Sequence, residues 1–391
     1  MKAKKIKEGI YWVGAIDWNV RNFHGYLTQR GTTYNAYLII DEKITLIDTV
    51  KPGFENEMLA RISTIIDPSK IDFVVSNHVE MDHSGALPII MEKAPNAKII
   101  TCSKGDAGLR LHYKKDWDFE VVNTGDSISI GKRTLQFILT PMVHWPDNML
   151  TYVPEEKLLF SNDAFGQHLA TSVRFDDEYP NDITMLEARK YYANIVLPYP
   201  KPVKKALDAA ANLDIEIIAP SHGIIWRQNV VEIIKEYNNW VSNKVDKKAL
   251  IIYDTMWKST EKIAYEIQNV FEDAGYVAPI FNLQFNHMSD IMTEVLTAEF
   301  VCIGSPTLNK NILPSVAGFL TYFQGLAPKG RKGIAFGSYG WGDQSIPKIS
   351  EFLKNSGIEI IGTYKVKYIP DSNDLAHIRK QINEKLNEIK L

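Results

Sequence analysis

The run His78-Val79-Glu80-Met81-Asp82-His83 constrains this chain more than any other stretch. It places four metal-binding side chains in six positions, directly after the β-branched run at 71–76. Groups two apart point away from one another on a helix, so these spacings do not make one helical face. On a loop leaving a buried strand they can converge. Left unpaired, such groups would repel one another and resist burial. A bound cation is the simplest way to hold them together.

Three more candidates follow in order. His144 stands in Pro141-Met142-Val143-His144-Trp145-Pro146, Asp163 in Ser161-Asn162-Asp163-Ala164-Phe165-Gly166, and His222 in Ala219-Pro220-Ser221-His222-Gly223. Each closes an apolar run, and strand ends of α/β sheets are where sites are built. Any one of them alone reads as a turn residue. Several of the same kind in one chain do not.

The surrounding pattern predicts an α/β protein of two domains. At ~100–200 residues per domain, 391 residues imply two or three. A hydrophobic fraction of 45% with 23% charged residues is globular. Over 1–246, short β-rich runs alternate with turns: strands at 34–40 and 44–50 joined by Asp41-Glu42-Lys43, a helix over 54–66, a strand at 71–76, a helix over 86–93, and strands at 97–102, 135–140, 149–153 and 157–160. Two sheets packed face to face with helices outside accommodate this. The polar stretch 241–248 reads as a linker. From 249 to 391 the rhythm becomes strand–helix: strands at 249–253, 300–304 and 332–337, helices over 260–274, 312–323 and 346–356, and a closing amphipathic helix over 374–391. That repetition predicts a doubly wound parallel sheet.

Composition excludes several functions. A net charge of −3 supplies no field for a polyanion, so nucleic acid is not the expected partner. Two cysteines, Cys102 and Cys302, exclude a disulfide framework, an Fe–S cluster and a rubredoxin iron site, and read as inert core thiols. No run of ~18 apolar residues predicts a membrane span. The N-terminus lacks the features of a cleaved leader, so the expected compartment is the cytoplasm.

The second half carries three loops at the carboxyl ends of its strands. The first holds Thr255, Met256, Trp257, Ser259 and Thr260; hydroxyls and amides at a helix start can hold a phosphate without a lysine. The second holds Ser305, Pro306, Thr307, Leu308 and Asn309. The third holds Ser338, Tyr339, Gly340, Trp341 and Gly342, with aromatic rings to flank a flat ligand and glycines that admit backbone close to it. There is no GxGxxG, which argues against a dinucleotide. This half resembles a flavodoxin, and the resemblance implies FMN.

The first half resembles the metallo-β-lactamase superfamily, whose signature is His-x-His-x-Asp-His followed by His, Asp and His. Glu80 stands where that signature has its second histidine. The exchange is similar to the branch called flavodiiron proteins, in which a β-lactamase-like domain precedes a flavodoxin-like one. A carboxylate in place of an imidazole hardens a site, which suits redox-active iron better than zinc. The resemblance implies two iron ions, with His78, Glu80 and His144 on one, Asp82 and His222 on the other, and Asp163 bridging. His83 either completes the second set or turns away in favour of a water. The resemblance also implies His24 and Tyr191 as donors near a bound diatomic; His168 reads as a structural residue or an outer partner.

The implied activity is reduction of O2 to water, of NO to N2O, or of both, with FMN passing electrons to the irons. The implied donor is external, rubredoxin or reduced F420. The implied assembly is a head-to-tail homodimer or a homotetramer. The alternative is a dinuclear zinc hydrolase with an accessory flavodoxin-like domain, against which Glu80 speaks.

Overall fold

The computed structural model describes residues 1–390. The chain forms two compact units, Met1–Tyr192 with Tyr199–Val241, and Ala193–Pro198 with the chain from Ser242 onward.

The first unit is built on two larger sheets. One has seven strands in the order Lys4–Lys7, Ile10–Trp12, Tyr37–Ile39, Thr45–Ile47, Phe73–Val75, Lys98–Thr101 and Phe119–Val121. The predicted hairpin is present, with Tyr37 opposite Ile47 in an antiparallel pair, and the strands from Thr45–Ile47 onward run parallel. The other sheet has five strands, Ser127–Ser129, Thr134–Leu139, Met149–Val153, Leu158–Asn162 and Ile217–Pro220. Alternation sets the layers. Trp12, Tyr37, Val75, Ile100, Phe137 and Phe160 belong to a core drawn from both sheets. Leu38, Leu46, Val74 and Ile99, their neighbours along the strands, share another core with residues of the helices Glu55–Ile62 and Leu87–Lys93. The predicted layering of sheets inside and helices outside is therefore what forms. The helices Ser103–Tyr113, Pro200–Ala210 and Val230–Val241 are additions to the sequence expectation.

The second unit is a parallel sheet in the order Ile280–Asn282, Asp246–Tyr253, Ala298–Gly304, Lys332–Tyr339, Glu359–Lys367. Numbered along the chain this is 2-1-3-4-5, the flavodoxin-like order, with its switch point beside the first strand. The helices Ser259–Asp273, Pro314–Leu326 and Ser345–Asn355 follow the three predicted strands. Two edge strands and the helix Met288–Val295 have no counterpart in the sequence reading. The polar stretch 241–248 is a linker only in part. The preceding helix runs to Val241, and the first strand begins at Asp246. Lys248 is buried there because its ammonium donates to Glu294 Oε2 at 3.0 Å and Thr297 Oγ1 at 2.8 Å. The closing helix spans Ser372–Lys390; Leu391, the last residue of the predicted helix, lies outside the described residues. No helix among the described residues is long and apolar enough to cross a membrane.

Candidate functional site

The strand Phe73–Val75 leads into the loop that carries His78 and Glu80, whose side chains meet with Glu80 Oε2 3.3 Å from His78 Nε2. The backbone then turns into a single helical turn, Met81–Ser84, which sends Asp82 and His83 elsewhere. The four-ligand run thus divides between two clusters. His78, Glu80, His144 and Asp163 form the first, and Asp82, His83 and His222 the second.

Asp163 joins them. Its Oδ2 lies 3.6 Å from His78 Nε2 and 3.4 Å from His144 Nε2. Its Oδ1 lies 3.0 Å from His83 Nε2 and 3.6 Å from His222 Nε2. Glu80 Oε2 closes the first cluster at 3.3 Å from His78 Nε2 and 3.4 Å from His144 Nε2. Asp82 closes the second at 3.4 Å from His83 and 3.2 Å from His222. His83 points inward in this arrangement. The loop that carries Asp163 is backbone-constrained, with Asn162 at φ +50° and Phe165 at φ +66°, a region costly for non-glycine residues outside a supporting frame.

Hydrogen bonds fix the imidazole faces. His222 Nδ1 lies 2.7 Å from the Thr33 carbonyl, which can only accept, so the proton sits on Nδ1 and Nε2 offers its lone pair inward. Asp147 Oδ2 lies 2.9 Å from His78 Nδ1 and accepts the Val79 amide at 2.8 Å. Behind this, buried Asp48 accepts both the backbone amide and the side-chain amide of Asn77, at 2.7 and 2.9 Å. Such outer partners orient ligands and raise their basicity. Nothing in the sequence reading singled out Asp48, Asn77 or Asp147 as members of the site. An acidic residue at a strand end looks the same in sequence whether it caps a turn or holds a histidine.

The donor set fits metal. Both oxygens of Asp82 and Oδ2 of Asp163 are buried without a hydrogen-bond partner among the described residues. Burial opposes charge on these imidazoles, yet the neighbouring carboxylates push His78 up to about 10, and His83 and His144 to about 9. Burial likewise opposes ionisation of Asp163 and Glu80, but the surrounding histidines hold both carboxyls below their ordinary value. So concentrated a set of acids and imidazoles attracts positive charge strongly, and divalent ions supply it without protons.

Three predicted neighbours of the site differ in placement. Tyr191 is buried and donates its hydroxyl to Asp163 Oδ1 at 3.0 Å, so it positions the shared carboxylate. His24, with a side chain 76% exposed, stands 3.5 Å from Glu80 Oε1. His168 is buried, with Nδ1 2.9 Å from Thr32 Oγ1 and its ring 4.9 Å from that of His222. Burial keeps it well below the ordinary histidine value.

In the second unit a cleft of about 940 Å³ opens at the carboxyl ends of the strands. All three predicted loops reach it. Met256, Trp257 and Ser259 come from the first, Pro306, Thr307 and Asn309 from the second, and Ser338 to Gly342 from the third. Trp257 and Trp341 are 88% and 90% exposed, so their rings are free to cover a flat ligand. The helix Ser259–Asp273 begins with no side-chain cap, and Thr255 Oγ1 is buried without a partner among the described residues. Free helix-start donors and an orphaned hydroxyl fit a phosphate. The remaining predicted residues sit behind the wall. Thr260 Oγ1 is 3.0 Å from Ser338 Oγ, Ser305 Oγ donates to the Pro306 carbonyl and accepts the Leu313 amide, and Leu308 pairs with Asn311 in the turn. Lys310, Gln344, Tyr368 and Ile369 complete the cleft and carried no sequence signal.

Comparison with known proteins finds relatives of both halves of the chain. Residues 32–223 match the family model described as ODP family beta lactamase, and residues 251–381 match that described as flavodoxin. The chain is 48% identical to the nitric oxide reductase of Moorella thermoacetica over 95% of this chain and 94% of the relative. It is 39% identical to the coenzyme F420H(2) oxidase of Methanocaldococcus jannaschii over 100% of this chain and 98% of the relative. The solved structure of rubredoxin oxygen:oxidoreductase from the anaerobe Desulfovibrio gigas superposes with a TM-score of 0.97 at 42% identity, covering 100% of this chain and 99% of that one. Two ligand clusters joined by one carboxylate, a flavodoxin-like cleft, and relatives named as oxidoreductases along nearly the full length leave no room for the hydrolase alternative: the chain belongs to the flavodiiron proteins.

Proposed function

We propose that the protein reduces O2 to water, NO to N2O, or both, by passing electrons from FMN in the second unit to two irons in the first. The observation that carries this reading is Asp163, whose two oxygens each face a separate group of ligands. A shared carboxylate of that kind suits a metal pair better than two independent ions. Irons held there would supply electrons to the diatomic and polarise it.

The chain's own residues do the rest. His78, Glu80 and His144 would hold one iron and Asp82, His83 and His222 the other, with Asp163 between. Asp147 and the Thr33 carbonyl keep His78 and His222 turned inward. Tyr191 holds Asp163 in register. His24, beside Glu80 and largely exposed, would donate a proton at the site's outer edge. Thr255 and the start of the helix Ser259–Asp273 would take the FMN phosphate, with Trp257, Tyr339 and Trp341 against its ring.

Relatives are named for rubredoxin and for coenzyme F420H(2), so both are candidate donors here. The assembly we infer is a head-to-tail homodimer or a homotetramer in the cytoplasm, the large exposed rings of the flavin cleft being suited to cover by a second subunit. Sedimentation of the fully loaded protein as an active monomer would contradict the assembly. The reaction itself is tested by anaerobic turnover of O2 and of NO with each reduced donor. Turnover of neither gas would overturn the proposal.

A further inference from the structure

Behind the metal-ligand loops lies a second hollow, a cavity of about 30 Å³ between the five-stranded sheet and the helices Pro200–Ala210 and Val230–Val241. Its inner end is formed by Val143, Ala164 and Phe165, chain neighbours of His144 and Asp163. Its outer end is formed by Ala206, Leu207 and Ala210, all half-buried on the first of those helices. The cavity thus lies between a half-buried helix face and the backs of two ligand-bearing loops.

Its lining is mostly apolar. Leu150 and Leu159 line it from the sheet, in a cluster separate from the core between the sheets. The peptide groups at the inner end are already committed: the Ala164 carbonyl accepts from Ser161 Oγ at 2.7 Å, and the Phe165 amide donates to Tyr237 Oη at 2.7 Å. Thr140 also lines the cavity, and its buried hydroxyl has no hydrogen-bond partner among the described residues. A buried water usually takes two to four polar partners, whereas apolar cavities stay dry and admit xenon. One water needs ~10–15 Å³, so this space holds something slightly larger. It is far below the ~300–1,000 Å³ of an organic-ligand site. The ligand class that remains is a small uncharged gas.

We propose that this cavity is a docking site for the diatomic substrate, walled by Ala206, Leu207 and Ala210 on one side and by the chain neighbours of His144 and Asp163 on the other. The proposal rests on the reductase reading for the identity of the gas. The cavity concentrates an apolar diatomic from water by the same preference that keeps water out.

The test uses the iron- and FMN-loaded protein. Crystals pressurised with xenon are expected to show an atom in the cavity of the wild type and none in Ala206→Phe. In the same variant, KM for O2 or NO is expected to rise at least threefold, with kcat at saturating gas and iron content unchanged. Ala210→Leu adds fewer atoms at the same end and is expected to give a smaller shift of the same sign, which covers failure of the bulkier variant to fold. A wild-type cavity without xenon would overturn the proposal, as would variants that exclude xenon yet keep the wild-type KM. If the loaded wild type turns over neither gas, the reductase reading fails, and xenon occupancy alone then decides whether the cavity takes gas.

Discussion

The metal site and the flavin cleft are built on opposite plans. The metal site is interior: His78, Asp82, His83, Asp163 and His222 are buried, and a further ring of Asp48, Asn77, Asp147 and Thr33 holds them. The cleft is a surface feature, made by three loops whose largest side chains, Trp257 and Trp341, face solvent. A buried site of charged groups requires every member to be paired, so losing one exposes its neighbours to an unpaired state. An open cleft spreads its binding over many weak contacts. Damage should therefore be steep in the first unit and shallow in the second.

The steepest effect is expected at Asp163. Asp163→Asn should take iron below one per chain and abolish turnover, while FMN content stays at wild-type level; metal analysis beside flavin absorbance reads both. Next comes Asp147→Ala, which frees the His78 ring. Loss of an outer partner costs ~10–100-fold in metal affinity, readable by chelator competition. If Asp147→Ala leaves iron affinity untouched, the interior plan is wrong. In the cleft, Trp341→Ala should weaken FMN up to about tenfold, from the ~0.5–1.5 kcal/mol that an aromatic pair contributes, with iron content unchanged. The smallest effect is expected for Thr255→Val, about 1 kcal/mol of lost hydrogen bonding to the phosphate, measured by flavin titration of the stripped protein. An effect of Thr255→Val as large as that of Asp147→Ala would erase the contrast.

The same contrast governs what could be read in the sequence. Metal chemistry needs particular side chains, so His78, Glu80, Asp82, His83, His144, Asp163 and His222 stand out by type and by their place after apolar runs. The structure gathers all seven. Asp48 escapes because its role depends on Asn77, twenty-nine residues along the chain. In the cleft, backbone shape matters more than side-chain type. The three loops were legible from their strands, but Tyr368 and Ile369, which follow the last edge strand, were not. That strand, Glu359–Lys367, is half-exposed and carries Gly362, so it lacks the buried β-branched run that marked the central strands. The short strand Ile280–Asn282 escapes for a related reason, being three half-buried residues at the other edge.

The central claim is that electrons leave flavin through metal bound around Asp163. It is tested most directly by reducing the loaded protein without oxygen, mixing it rapidly with O2 or NO, and following the flavin absorbance. Reoxidation should be fast in the wild type and fall to the slow rate of free reduced flavin in Asp163→Asn. Equal rates in the two proteins would contradict the account.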